Sequence, residues 1–170
     1  LLNLPVAHSL MGKGALPDDH PFILGMTGFW GTQYINDSCR NADVILALGT
    51  RFKEADSSSW YEAYTFDIPP TKLIQIDIEP AEIGRNYPVE IGVVADLKQA
   101  IEVLVRVARK AIPNGIKRDD LKREIADNQK AFAQSNTEME RSDAFPMMPE
   151  RILAEVREVL PRDAIITTDV

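Results

Sequence analysis

The stretch Asp43-Val44-Ile45-Leu46-Ala47-Leu48-Gly49-Thr50-Arg51-Phe52 decides how this chain can fold. It is an almost uninterrupted apolar run that follows a helical pattern and is closed by a glycine. Such a run is typical of a strand buried on both faces of a parallel sheet, so we predict that it forms the central strand. Ligands of open α/β sheets bind beyond the carboxyl ends of the strands. We therefore expect Gly49 and the residues after it at a binding edge.

The composition describes a globular chain and excludes some partners. With 170 residues, 45% of them hydrophobic, the chain can hold one ordinary domain plus appendages. Its 26 acidic and 19 basic residues give a net charge of -7, which disfavours nucleic acid. No apolar run approaches the roughly 20 residues that span a bilayer, so we expect no membrane partner. The single cysteine, Cys39, cannot form an internal disulfide and fits a reducing, cytoplasmic compartment.

Strand patterns alternate with helical patterns on both sides of this run. We predict further strands at residues 5–7, 72–78 and 91–95. Thr32 is the expected N-cap of one helix, and Asp96, with Gln99 three residues later, caps a second helix over residues 97–111. The apolar face of that second helix should pack on the sheet. The alternation indicates a doubly wound, Rossmann-like parallel sheet of the α/β class.

Glycines and acidic residues follow several predicted strands. Gly25, Gly28 and Gly31 precede a helix start, where a backbone can approach an anion closely; a glycine-rich connection without a ligand explains them equally well. Lys13 lies in the loop after the first strand and is either a phosphate contact or a solvated lysine. Asp77 either meets a ribose or adenine, as in nucleotide-binding sheets, or caps the helical turn over residues 80–84.

The remaining candidates favour structural interpretations. His8 and His20 have no partner at metal-ligand spacing, Cys39 is expected to pack on its helix, and residues 57–59 lack a general base. The aromatic cluster of Trp60, Tyr61 and Tyr64 either covers a ligand or packs against other domains, and we favour packing. We predict no catalytic residue and no metal ligand in this chain.

Beyond residue 111 the pattern changes. Residues 112–145 are highly charged with only a thin apolar stripe, which is typical of an exposed interdomain helical linker. Residues 146–170 contain an amphipathic helix and a strand over residues 163–168. Because no neighbour for that strand follows, and because no methionine opens the chain, we expect a piece of a longer protein.

Three motifs together resemble a known family. They are residues 25–32 (GMTGFWGT), residues 42–52 (ADVILALGTRF) and residues 76–86 (IDIEPAEIGRN). Their order and spacing resemble the central domain of thiamine-diphosphate enzymes of the acetolactate synthase (acetohydroxyacid synthase) large-subunit type, whose fold is a doubly wound sheet of the DHS-like NAD/FAD-binding type. The resemblance divides the chain into a central domain (1–111), a linker (112–145) and the start of a diphosphate-binding domain (146–170).

The resemblance implies a parent enzyme and its cofactors. The parent would be a cytoplasmic 2-oxo acid carboligase or decarboxylase that uses thiamine diphosphate and Mg²⁺, as in branched-chain amino acid biosynthesis. The resemblance implies that the glutamate that activates the thiazolium lies in the N-terminal domain of the same chain and that the Mg²⁺ and diphosphate ligands lie in its C-terminal domain. This stretch alone should therefore be inactive. The full-length enzyme is expected to be a homo-oligomer, a dimer or tetramer.

The resemblance also assigns a nucleotide site, with FAD or ADP as its ligand. FAD would serve structure rather than redox turnover. Its flavin end would contact Ser9, Leu10, Thr27, Gly28, Phe29 and Trp30; its phosphates would meet Gly49, Thr50, Arg51 and Phe52; its adenosine end would lie by Asp77, Ile78, Asp96 and Leu97.

Two departures from the family pattern bear on FAD. Trp30 stands where acetolactate synthases usually have histidine, and Lys53-Glu54-Ala55 replaces an Asp-Asp-Arg sequence. Relatives that act on other 2-oxo acids keep this domain with ADP, another nucleotide or nothing bound. The alternative hypothesis is a non-catalytic nucleotide-binding or structural interaction module.

Overall fold

Strands and helices alternate along the chain in the computed structural model, which describes residues 1–167. The strands are β1 (Val6–His8), β2 (Ile23–Met26), β3 (Val44–Leu48), β4 (Lys72–Asp77) and β5 (Ile91–Val94). The helices are α1 (Gln33–Arg40), α2 (Leu97–Ala111), α3 (Asp119–Glu140) and α4 (Pro149–Val159). All strand pairs are parallel. The predicted doubly wound α/β class is confirmed.

The described strands form two sheets, one with the order β1-β2 and one with the order β3-β4-β5. The prediction that β3 is central and buried on both faces is wrong for these residues, because β4 lies in the middle of its sheet. Within β3 only Ala47 is buried, whereas Val44 is 52% exposed. Alternate residues of a strand face opposite sides, and only the side with Ala47 packs against a core cluster.

Two apolar clusters hold the chain from Leu1 to Ile125 together. In the first cluster, Phe22 immediately before β2 and Leu24 within β2 pack with two helix residues. These are Ile35 of α1 and Ile125 of α3. The second consists of Ala47, Phe52, Phe66 and Leu73. In the second cluster the ring of Phe52 meets the rings of Phe66 and Tyr87 edge-on, each with a centroid separation of 5.2 Å.

Both predicted helix caps are present. The Thr32 side chain accepts a hydrogen bond from the Ile35 N–H, and the Asp96 carboxylate accepts one from the Gln99 N–H at 3.1 Å. Helix α2 contacts β4, as predicted, but its apolar face is only partly covered, because no residue of α2 is fully buried and Leu104 remains 41% exposed. The sheet beside this helix has only three strands among the described residues, which leaves part of the helix uncovered.

The chain divides into two compact units, Leu1–Ile125 and the residues from Ala126 onward, and helix α3 contains the division. The predicted boundaries at residues 111 and 145 remain predictions. Helix α4 forms where the amphipathic pattern predicted it. The strand predicted over residues 163–168 does not form within residues 163–167, which have no neighbouring strand to bond with; its last residue lies outside the described part. No helix within residues 1–167 is long and apolar enough to cross a membrane.

Candidate functional site

The parallel register brings the carboxyl ends of β3, β4 and β5 to one edge of their sheet. Leu48 pairs with Ile76, and Asp77 pairs with Val94. Beyond the strands, the Gly49 N–H donates to the Ile76 carbonyl at 2.9 Å, and the Ala95 N–H donates to the Asp77 carbonyl at 3.0 Å. The candidate segments that follow these three strands are therefore neighbours, as the open-sheet rule predicts.

In the loop of residues 49–52, which follows β3, the carbonyl groups of residues 50–52 accept hydrogen bonds from side chains. Gln75 Nε2 donates to the Thr50 carbonyl at 3.2 Å. Asn86 Nδ2 donates to the Arg51 carbonyl at 2.8 Å, and Trp60 Nε1 donates to the Phe52 carbonyl at 2.8 Å. Three successive carbonyl dipoles thus already have donors.

The 49–52 loop keeps donors of its own available. Among the described residues, the backbone N–H groups of Thr50 and Arg51 donate to no protein acceptor, and the exposed Arg51 guanidinium has no ion-pair or hydrogen-bond partner. Carbonyls held by side chains, together with uncommitted N–H groups and a cation, suit an anion rather than a metal ion.

Gly49 explains why the chain turns tightly here. Its φ is +63°, and a Cβ at this position would lie 2.7 Å from Leu97 Cδ1. Leu97 therefore packs against the glycine backbone. The ring of Phe52 lies in the second core cluster and is 4% exposed, so Phe52 offers a ligand backbone atoms only.

The acidic candidates make local hydrogen bonds. Asp77 Oδ1 accepts from the Glu79 N–H at 2.9 Å, and the Asp96 carboxylate caps α2. The Asp96 bond is the predicted helix cap. Asp77 does not cap the turn beyond β4, because Glu79 does so by accepting the Ala81 N–H. Ile78, immediately after Asp77, is 69% exposed and lies beside the strand end.

The segments after β1 and β2 meet the loop after β3 at Asp56. The Leu10 N–H donates to Asp56 Oδ1 at 3.2 Å, and Thr27 Oγ1 donates to the Asp56 carbonyl at 3.0 Å. Ser9 caps the 3₁₀ turn Leu10–Gly12 by accepting the Gly12 N–H at 3.1 Å. Asp56 thus connects the segments that follow β1 and β2, of the first sheet, to the loop that follows β3, of the second sheet.

The Asn36 side chain forms hydrogen bonds with both backbone groups of Gly28, its N–H and its carbonyl. Asn36 Oδ1 accepts the Gly28 N–H at 3.0 Å, and Asn36 Nδ2 donates to the Gly28 carbonyl at 3.1 Å. Beyond this fixed glycine, Phe29 and Trp30 are 57% and 60% exposed. The arrangement leaves two aromatic rings on the surface next to a rigid backbone.

Sequence reasoning missed four residues that shape these segments: Gln75, Asn86, Asn36 and Asp56. Only Gln75 carried a usable pattern, because an amide inside an otherwise apolar strand is expected to be buried with specific partners. The others bond to backbone groups of loops whose path a sequence does not give.

Cys39 and Tyr87, which pack against the second core cluster, have raised pKa values. Burial raises the pKa of Cys39 to about 12, which fits its predicted packing role, and burial also raises the pKa of Tyr87 in the second core cluster. Lys13 forms an exposed ion pair with Asp18 at 2.6 Å, in agreement with a solvated lysine. Within residues 1–167, no group of three or more His, Cys, Asp or Glu side chains could hold a metal ion.

Comparison with known proteins identifies the family. The sequence pattern described as "Thiamine pyrophosphate enzyme, central domain" matches residues 1–104. The chain belongs to this family of thiamine pyrophosphate enzyme central domains.

Similarity to full-length relatives extends through the chain. This central-domain chain is 33% identical over 178 residues to a "Probable acetolactate synthase large subunit" of Methanococcus aeolicus, covering 100% of the chain and 29% of the relative. A protein of the same description from Methanocaldococcus jannaschii is 35% identical over 175 residues, covering 99% of the chain and 28% of the relative. A "Glyoxylate carboligase" of Escherichia coli O157:H7 is 33% identical over 174 residues, covering 100% and 28%. The resemblance to acetolactate synthase-type central domains is confirmed, and the chain spans less than a third of these relatives.

Proposed function

We propose that this central domain belongs to a thiamine-diphosphate-dependent 2-oxo acid carboligase or decarboxylase, and that its sheet edge holds an adenine nucleotide, FAD or ADP. The single observation that supports the nucleotide proposal is the pattern of used and available hydrogen-bonding groups in the 49–52 loop. The carbonyls of residues 50–52 accept from Gln75, Asn86 and Trp60, whereas the N–H groups of Thr50 and Arg51 and the Arg51 guanidinium remain available. A phosphate needs such donors.

The rest of the nucleotide would extend along the same edge. Its adenosine end would lie by Asp77 and Ile78, with Asp96 and Leu97 beside them, because these segments follow the neighbouring strands. A flavin would reach the segment from Thr27 to Trp30, where aromatic rings are exposed. Bound FAD would supply a redox-active ring. We expect that ring to stabilise the domain rather than to take part in redox turnover.

The described residues do not fit Mg²⁺ and the thiamine diphosphate that it would anchor. No group of three or more His, Cys, Asp or Glu side chains within residues 1–167 could hold the ion. We therefore propose that both cofactors bind other domains of the parent chain and that these 170 residues alone have no turnover.

The names of the relatives support the class of the parent enzyme. Relatives named acetolactate synthase and glyoxylate carboligase align over the whole chain at 33% identity. We propose that the parent is a carboligase of this kind and that it works in the cytoplasm. We also propose that the full-length enzyme assembles as a dimer or tetramer.

The competing function is a purely structural module. It is favoured by the apolar residues that remain exposed on one face of the β3-β4-β5 sheet, among them Val44, Leu46 and Ile91. In that case the edge would bind no nucleotide, and the domain would serve only to pack against the rest of the parent chain.

Calorimetric titration of the purified chain with FAD and with ADP separates the two functions. Arg51→Gln should weaken binding about tenfold, because a charge-assisted hydrogen bond contributes roughly 1.5 kcal/mol. Arg106→Gln, an identical charge change on the exposed surface of α2, is the control and should leave the affinity within about twofold. Absence of binding by the unmodified chain would favour the structural module, and equal losses in both variants would remove Arg51 from the site.

A further inference from the structure

Gln75 links the candidate phosphate-binding loop 49–52 to residues 82–84, which lie in the turn just beyond the candidate nucleoside contacts Asp77 and Ile78. Its Nε2 donates to the Thr50 carbonyl at 3.2 Å and to the Glu82 carbonyl at 3.0 Å, while its Oε1 accepts from the Gly84 N–H at 2.9 Å. Thr50 lies in the 49–52 loop after β3, and Glu82 and Gly84 lie in the turn after β4. One side chain therefore bonds to both segments.

The environment of Gln75 makes this link specific. The residue is 2% exposed, and both amide hydrogens and the carbonyl oxygen are used. A buried amide with all partners satisfied fixes the positions of those partners, since any displacement leaves a polar group unpaired in a low-dielectric interior. An apolar residue, such as the Leu73 and Ile76 of the same strand, would leave the two segments free to move independently.

We propose that Gln75 is a positioning residue that sets the spacing between the 49–52 loop and the turn after β4, so that one ligand can bind both. This proposal rests on the proposed nucleotide-binding function and adds a requirement to it. The ligand class is a two-ended nucleoside diphosphate, with its phosphates at the 49–52 loop and its nucleoside by Asp77. Gln75 touches neither end; it acts by holding the two segments at a fixed separation.

The spacing role predicts different losses for two-ended and one-ended ligands. In Gln75→Met, which keeps the side-chain length but removes all three hydrogen bonds, ADP should bind about tenfold more weakly. Pyrophosphate and adenosine, measured separately, should each weaken less than about threefold, because neither needs the two segments at once. Near-UV circular dichroism establishes that the variant is folded under the conditions of the titration.

A second variant keeps the proposal testable if Gln75→Met does not fold. Gln75→Glu retains an acceptor for the Gly84 N–H but loses both donors, and protonation of the new carboxyl restores one of them. Its ADP affinity should rise as the pH is lowered, whereas the unmodified chain should show no such rise over the same range. The adenosine affinity of Gln75→Glu should change much less over the same range, whereas general destabilisation by the buried carboxylate would weaken both ligands alike.

The outcomes separate failure of this proposal from failure of the nucleotide function. If the unmodified chain binds neither FAD nor ADP, both proposals fail. If the unmodified chain binds ADP but Gln75→Met binds it within about twofold, only the positioning role fails. Equal losses for ADP, pyrophosphate and adenosine would likewise overturn the spacing role, because they would indicate loosening of each segment by itself.

Discussion

Replacement of Gly28 by alanine should measure how tightly the segment after β2 packs on the loop after β3. Gly28 has a φ of +79°, and a Cβ there would lie 1.9 Å from the Ala55 carbonyl oxygen and 2.6 Å from the Asp56 carbonyl carbon. The left-handed backbone costs an alanine roughly 1–2 kcal/mol. Relief of a clash with backbone atoms should cost a further 1–3 kcal/mol or so.

Gly14→Ala is the matched control. Gly14 has a similar φ, +87°, but a Cβ added there would meet nothing within 4 Å. This control isolates the backbone cost of roughly 1–2 kcal/mol. The excess loss in Gly28→Ala over Gly14→Ala is therefore the cost of separating the two loops.

Urea unfolding followed by circular dichroism gives the comparison. With a slope of about 2 kcal/mol/M, the midpoint of Gly28→Ala should fall below that of Gly14→Ala by roughly 0.5–1.5 M. Equal midpoints for the two variants would refute the reasoning, since they would show that the close approach of Gly28 to Ala55 does not exist in solution.

Three further changes test other parts of the structure. Leu73→Ala should cost about 2–5 kcal/mol in urea unfolding, because Leu73 is 1% exposed in the second core cluster, whereas Leu46→Ala on the opposite face of the sheet should cost less than half as much; equal costs would contradict the burial of only one face. Asn36→Ala should lose about 2–4 kcal/mol, because both backbone groups of Gly28 lose their partner; a loss below about 1 kcal/mol would contradict that bridge. Burial raises the pKa of Cys39 from 9.0 to about 12, so between these pH values the unfolded chain binds fewer protons than the folded one and stability should fall as pH rises. Cys39→Ala should reduce this fall in urea unfolding at a series of alkaline pH values, and an unchanged slope would count against burial of the thiol.

Local chemistry accounts for what the sequence predicted well. The caps at Thr32 and Asp96 depend on a side chain and an N–H three residues away, so residue type and spacing are sufficient. The carboxyl-edge location of Gly49 and Asp77 follows from parallel strand order alone.

Tertiary partners account for what the sequence did not predict. The apolar runs of β3 and β4 look alike, but Leu73 pairs with Ile45 on the face that the second core cluster covers, whereas Leu46 pairs with Ile74 on the opposite face. Gln75 and Asn86 bond to carbonyls 25 and 35 residues away in the chain, so no spacing rule finds them. These long-range bonds give the candidate site its shape.

The central claim is that an adenine nucleotide binds along the carboxyl ends of β3, β4 and β5. Backbone amide chemical shifts recorded during an ADP titration of the isotope-labelled chain test it most directly. ADP binding at this edge should give saturable shifts at Thr50, Arg51 and Ile78, with little change at Gly14. Shifts absent from these three amides, at ADP concentrations that saturate any binding, would contradict it.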